Sequence, residues 1–136
     1  MLKVKDVMTK NVICVKKDTS LPEALEYLER HNISGLPVVE EDMTLIGILS
    51  EKDVLRLFYE EVDLKNSKVS EFMTQPALSF DEEDDLLGVC TCLENHFIRR
   101  LPVTRKGQLT GIVSRRDIIK YILWTKCEKT ILEQAF

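Results

Sequence analysis

Apolar and polar positions along the chain fall into the same pattern twice. In the first half, Val12-Ile13-Cys14-Val15 is a short β-rich run followed by a polar stretch. Ser20-Leu21-Pro22-Glu23 then opens a helix. Ser20 is a good N-cap, Glu23 is the acid three positions on, and Pro22 sits in the first turn, where its missing N–H does no harm. Leu21, Ala24, Leu25 and Leu28 recur at helical spacing and make one apolar face, and Gly35 and Pro37 mark the exit. Val38-Val39 and Leu45-Ile46-Gly47-Ile48-Leu49 read as a hairpin around a polar turn. Ser50 caps a second helix carrying Val54, Leu55, Leu57 and Phe58. The predicted order is strand, helix, strand, strand, helix.

The second half repeats this order residue by residue. Lys3-Val4-x-x-x-Met8-Thr9 returns as Lys68-Val69-x-x-x-Met73-Thr74, an offset of 65 (68 less 3). Leu28-Glu29-x-His31-x-Ile33 returns as Leu93-Glu94-x-His96-x-Ile98, and Leu36-Pro37-Val38 as Leu101-Pro102-Val103. Gly47-Ile48-Leu49-Ser50-Glu51-Lys52-Asp53 returns as Gly111-Ile112-Val113-Ser114-Arg115-Arg116-Asp117, where the offset falls to 64 (111 less 47). The residue lost between them belongs to the hairpin turn, where deletion is tolerated best. A copy of roughly 60 residues buries little surface alone, so the two are expected to complete each other's core. The expected division is repeat 1 over 1–62, a polar linker over 63–67, repeat 2 over 68–124, and a helical tail over 125–136. Ile119, Ile122, Leu123, Ile131 and Leu132 give that last helix and its tail an apolar side.

Composition narrows the classes. With 136 residues, 44% apolar and net charge −4, the chain has no whole-molecule electrostatic case for nucleic acid. No apolar run approaches the roughly 18 residues of a membrane span, and Met1 to Asp6 is too charged for a secretion signal. A cytoplasmic location without a membrane partner is the expectation. Cys14, Cys90, Cys92 and Cys127 form no CxxC pair and are read as reduced thiols, so no metal site is expected. No P-loop, Ser/His/Asp set or His-rich cluster suggests catalysis, so the expectation is a protein that is not an enzyme and requires no cofactor.

The pairs Ser50…Asp53 and Ser114…Asp117 admit two readings. In one, each is a capping box: a serine at the N-cap and an acid at N3 satisfy the free N–H groups of a helix end. In the other, the same end receives a phosphate, and the carboxylate accepts ribose hydroxyls. The two roles are compatible. The acidic run Asp81-Glu82-Glu83-Asp84-Asp85 reads as dipole partners and caps of the following helix. His31 and His96, at matched helix ends, read as structural.

Taken together, the duplicated motifs resemble the CBS domain pair, also called a Bateman module. Met8-Thr9 and Met73-Thr74 look like the family's opening, and Leu36-Pro37-Val38-Val39 and Leu101-Pro102-Val103 like its central strand. Gly47-x-x-Ser50-x-x-Asp53 and Gly111-x-x-Ser114-x-x-Asp117 look like its ribose–phosphate signature. The resemblance implies an α+β fold of two pseudo-symmetric β-α-β-β-α repeats packed through their sheets with helices outside. It implies two clefts, each built from both repeats, that hold an adenosine nucleotide (AMP, ADP or ATP). It also implies a homodimer, and a regulated enzyme or transporter as partner. Cleft A would combine Thr9, Ile13, Ile33 and Ser34 with Ile112, Ser114, Arg115, Arg116 and Asp117. Cleft B would combine Thr74, Leu78, Ile98 and Arg99 with Ile48, Ser50 and Asp53. Apolar residues would sandwich the base, and backbone near Thr9 or Thr74 would read its edge. Arg115 and Arg116, against Glu51 and Lys52, rank cleft A above cleft B, while Arg99 either binds a phosphate or fills the pocket. Two alternatives stand: a docking or dimerisation module with empty clefts, and a sensor of S-adenosylmethionine.

Overall fold

The computed structural model describes residues 2–95 and 99–128. Repeat 1 runs β1 (Val15–Lys16), α1 (Leu21–Arg30), β2 (Gly35–Val39), β3 (Leu45–Ser50) and α2 (Glu51–Leu55), the last prolonged by a 3-10 turn at Arg56–Phe58. Repeat 2 runs β4 (Phe80–Asp81), α3 (Leu86–Asn95), β5 (Arg100–Arg105), β6 (Gln108–Ser114) and α4 (Arg115–Ile122), followed by a π-helical turn at Leu123–Glu128. Each repeat holds a three-stranded sheet in the order β1-β2-β3 or β4-β5-β6. In each, the first pair is parallel (Val15 opposite Val38, Phe80 opposite Val103) and the second antiparallel (Gly35 opposite Ser50, Arg100 opposite Ser114). The fold is α+β, and the two repeats match element for element.

Helix starts obey the capping chemistry. Ser20 accepts the Glu23 N–H at 3.3 Å and starts α1. Ser50 with Asp53, and Ser114 with Asp117, form full capping boxes at α2 and α4. The β5–β6 turn has positive φ at both Lys106 (52°) and Gly107 (80°), the two-residue geometry that matches strand twist. His31 ends α1 with its ring stacked on Tyr27 at 6.0 Å, whereas His96 lies outside the described residues. The first strand is shorter than the apolar run suggests. Val12 and Ile13 stand outside the ladder and line a cavity instead. Of the expected apolar tail, Ile131 and Leu132 lie outside the described residues.

Each repeat lends its opening segment to the other. Val4 is fully buried among Leu86, Val89, Leu93, Leu101, Val103 and Val113 of repeat 2, with Leu2, Val7 and Met8 packed beside it. Val69, Phe72 and Met73 pack in the same way with Leu21, Leu28, Leu36, Val38 and Leu49 of repeat 1. Backbone bonds tie both arms down: Val4 N–H to Asp84 O and Leu86 N–H to Leu2 O on one side, and Val69 N–H to Thr19 O and Leu21 N–H to Ser67 O on the other. Neither repeat has a complete core alone.

The acidic run serves this interlock as well as the helix. Glu83 takes the ammonium groups of Lys3 and Lys5, the latter at 2.7 Å, which holds its carboxyl down to about 2. Asp85 accepts the Leu87 N–H at 3.0 Å at the start of α3. The hairpin tips also meet: Leu45 N–H donates to Gly107 O, and Leu109 N–H to Met43 O.

Candidate ligand clefts

Beyond its buried part, each arm crosses the last strand of the other repeat. Thr9 N–H donates to Ile112 O (2.8 Å) and Ile112 N–H to Thr9 O (2.9 Å). Thr74 and Ile48 exchange the equivalent bonds at 2.8 and 3.0 Å. Such an approach needs a bare strand. A Cβ built on Gly111 would stand 2.6 Å from Met8 Sδ and 3.0 Å from Thr9 O, and one on Gly47 2.9 Å from both Met73 Sδ and Thr74 O. The glycine of each signature is therefore the seat of the opposing arm.

The crossing brings the signature aspartates to the arms. Thr9 Oγ1 donates to Asp117 Oδ1 at 2.9 Å, and Asp117 Oδ2 accepts the Ser114 N–H (2.8 Å) and Oγ–H (3.0 Å). Thr74 Oγ1 donates to Asp53 Oδ1 at 2.9 Å, and Asp53 Oδ2 accepts the Ser50 N–H (2.8 Å) and Oγ–H (2.9 Å). Each carboxylate is at once a helix cap and a staple between repeats.

Beside the first staple lies a cavity of about 250 Å³. Of the residues expected in cleft A it is lined by Thr9, Ile13, Ile33, Ile112, Ser114, Arg116 and Asp117. Ser34 and Arg115 lie next door, on an adjoining chamber of about 390 Å³. The Arg115 guanidinium donates to Leu93 O at 2.9 Å, toward α3. The cavity also takes in Asn11, Val12, Gly35, Arg100 and Lys120, which sequence reasoning missed. Two signals pointed there. Lys120 stands one helical turn beyond Asp117, and Arg100 is paired across the ladder with Ser114.

Cleft B assembles less completely. Ile48 and Ser50 line a central cavity of about 600 Å³ together with Arg99, but none of the four described cavities takes in Thr74 or Leu78. Leu78 is exposed, and Ile98 lies outside the described residues. The residue matching Lys120 is Arg56, whose guanidinium lies 4.6 Å over the Phe72 ring and so is turned onto the arm. Among the described residues no group of three or more His, Cys, Asp and Glu side chains could hold a metal ion. Among them, too, no helix is long and apolar enough to cross a membrane.

Two interlocked repeats, each stapled to the other's opening arm, define a tandem-repeat module. The CBS domain family matches residues 4–60 and 69–123, and the chain belongs to that family as a tandem pair. The structure is similar to that of CBSX2 in complex with AMP, with TM-score 0.81 and 33% identity over 93% of this chain and 99% of that one. It is also similar to the CBS domain pair of protein MJ0100 in complex with 5-methylthioadenosine and S-adenosyl-L-methionine, with TM-score 0.74 and 27% identity over 93% and 99% of the two chains. Among curated relatives, inosine-5'-monophosphate dehydrogenase of Methanocaldococcus jannaschii is 32% identical over 119 residues, covering 87% of this chain and 23% of the enzyme. The chain spans under half the length of that enzyme and of several other curated relatives.

Proposed function

We propose that this CBS pair is a ligand-sensing regulatory module whose cleft A binds an adenosine nucleotide: AMP, ADP or ATP. One observation carries the reading. A single cavity joins three apolar walls, Ile13, Ile33 and Ile112, to a carboxylate at Asp117 and to the cations Arg100, Arg116 and Lys120. A flat base, a diol and a phosphate need these three kinds of surface. A carboxylate has about four acceptor sites. Three of Asp117's are used, which leaves room for a ribose hydroxyl. The Thr9 peptide is committed to Ile112, so reading the base edge passes to the neighbouring peptides of Asn11 to Ile13 on the same cavity. The AMP bound by CBSX2 supports an adenosine ligand. The three cations argue against S-adenosylmethionine, whose sulfonium would face them without a phosphate to offer. A regulated enzyme or transporter is the partner such a module serves. The inosine-5'-monophosphate dehydrogenase relative supports an enzyme.

Calorimetric titration of wild type, Asp117→Ala and Asp53→Ala tests this. A charge-assisted hydrogen bond contributes roughly 1.5–3 kcal/mol, so Asp117→Ala weakens binding at least about tenfold and Asp53→Ala less. Thermal unfolding of each variant separates lost binding from the lost staple. At a nucleotide concentration about 100 times Kd the wild-type midpoint rises by roughly 8 °C. The reverse ranking of the two variants refutes the choice of cleft. Absence of binding by every adenosine compound favours docking with empty clefts, for which the exposed Leu55, Phe58, Tyr59, Ile119, Leu123 and Trp124 speak.

A further inference from the structure

Cleft A does not end at its own walls. At Arg100, Ser114 and Arg116 it opens into the chamber of about 390 Å³, which is also lined by Asn32, Ser34, Glu51, Arg99 and Arg115. Matched residues of the two repeats face each other there, Ser34 with Arg99 and Glu51 with Arg115, so the chamber lies where the repeats meet. Its walls carry four arginines against one carboxylate, in a chain whose net charge is −4. Arg99, Arg100 and Arg116 are exposed, and none of them forms an ion pair among the described residues. Three guanidinium groups at a junction where Glu51 is the one carboxylate on the walls leave a net positive charge, and an anion with several charges is drawn to it. Cleft A alone, at about 250 Å³, is smaller than the roughly 300–1,000 Å³ usual for a ligand site. With the chamber added there is room for a nucleoside and a phosphate chain.

We infer that the module selects its nucleotide by phosphate-chain length: the arginine chamber receives the terminal phosphates, so a nucleoside di- or triphosphate binds in preference to the monophosphate. This rests on reading cleft A as the adenosine site. The geometry sets the order of contacts. The ribose end lies at Asp117. The first phosphate lies by Ser114 and Arg116, and the outer phosphates pass Arg100 to reach Arg99. A monophosphate stops short of Arg99.

The experiment is a set of calorimetric titrations with adenosine, AMP, ADP, ATP, GTP and inorganic tripolyphosphate, without magnesium, on wild type and on the double variant Arg99→Ser/Arg100→Gly. That variant places at these positions the residues repeat 1 carries at Ser34 and Gly35. Arg99→Gln/Arg100→Gln is the companion that keeps side chains on β5 if the glycine weakens the strand, and thermal unfolding checks both. The expected result is ATP binding at least about tenfold tighter than AMP in wild type, with a steeper salt dependence. In either variant the ratio collapses to within about threefold. Equal affinity for AMP and ATP in wild type, or a ratio the variants leave intact, overturns the inference and leaves the adenosine reading standing. GTP and tripolyphosphate binding as tightly as ATP, with loss in the variants, upholds the chamber and overturns the adenosine reading.

Discussion

Replacing Gly111 by alanine tests how the two repeats are held together. Neither Gly111 nor Gly47 has a positive φ, so alanine fits the backbone at both. By the usual rule such a change stabilises by about 0.4–1 kcal/mol, because it removes freedom from the unfolded chain. The structure reverses the sign. The new methyl stands 2.6 Å from Met8 Sδ, 3.0 Å from Thr9 O and 3.1 Å from Met8 Cγ. The thioether can swing aside, but Thr9 O is fixed by the Ile112 N–H at 2.9 Å. Overpacking of this kind costs about 1–3 kcal/mol, and loosening the two Thr9–Ile112 bonds adds roughly 0.5–1.5 kcal/mol for each bond lost. Net of that backbone gain, Gly111→Ala is expected to destabilise by about 1–5 kcal/mol, read by urea unfolding with the slope of the transition unchanged. A Met8→Ala background removes the nearer clash. The double variant should be less destabilised than the sum of the singles by about 1 kcal/mol or more. A loss under about 0.5 kcal/mol for Gly111→Ala, or strict additivity with Met8→Ala, refutes the account of this glycine as the arm's seat.

Three further outcomes are expected. Gly88→Ala, in the first turn of α3 with Phe80 at an ordinary 3.5 Å, should stabilise by up to about 0.5–1 kcal/mol, seen as a raised midpoint. Glu83 is held at about 2 against an ordinary 4.5, so its pairing with Lys3 and Lys5 stabilises the fold above about pH 4.5 and is lost as pH falls toward 2. The difference in midpoint between wild type and Glu83→Gln should therefore be largest near neutrality and vanish by about pH 2, and a constant difference contradicts the pairing. Light scattering should report twice the 15.7 kDa of one chain, because Phe58 is 96% and Trp124 67% exposed on helices at the surface, and a 15.7 kDa particle at tens of micromolar counts against the homodimer.

Local chemistry was legible in the sequence, and long-range placement was not. Ser20, Ser50 and Ser114 announce helix starts, and Leu21, Ala24 and Leu28 announce a buried face, because each depends on neighbours within a turn or two. The duplication told that the halves match, not that each arm packs into the other's core. Val4 finds Leu86 and Val103 across most of the chain, and no local pattern encodes that choice. Gly47 and Gly111 were read as strand residues and parts of a ligand signature, although their bare Cα atoms serve the arm crossing first. Arg99-Arg100, standing where repeat 1 has Ser34-Gly35, pointed to the second repeat's own cleft; that Arg100 reaches cleft A was not legible because its place depends on the β5–β6 register, and Lys120 was missed because it follows the signature by one helical turn.

The double use of Asp117 has a mechanical consequence. The carboxylate that would meet a ribose also holds Thr9, and Thr9 is the end of an arm whose root, Val4, is buried in repeat 2. A ligand in cleft A therefore touches the joint between repeats and the first turn of α4 together. It either shares Asp117 with Thr9 or displaces it. Sharing adds a partner to the staple and tightens the joint. Displacement frees the arm's tip from α4. In both cases the ligand moves the balance only by its difference in affinity for the two arrangements, about 1.4 kcal/mol for each tenfold. Hydrogen exchange distinguishes the outcomes. Sharing raises protection at the Thr9 and Ile112 amides and along α4. Displacement lowers it at Thr9 and Ile112 while the Ser114–Asp117 turn gains. Protection confined to Asn11–Ile13 and Ile33, with the arm and α4 unchanged, would mean that the ligand merely fills a fixed cleft, and the staple would then carry no signal.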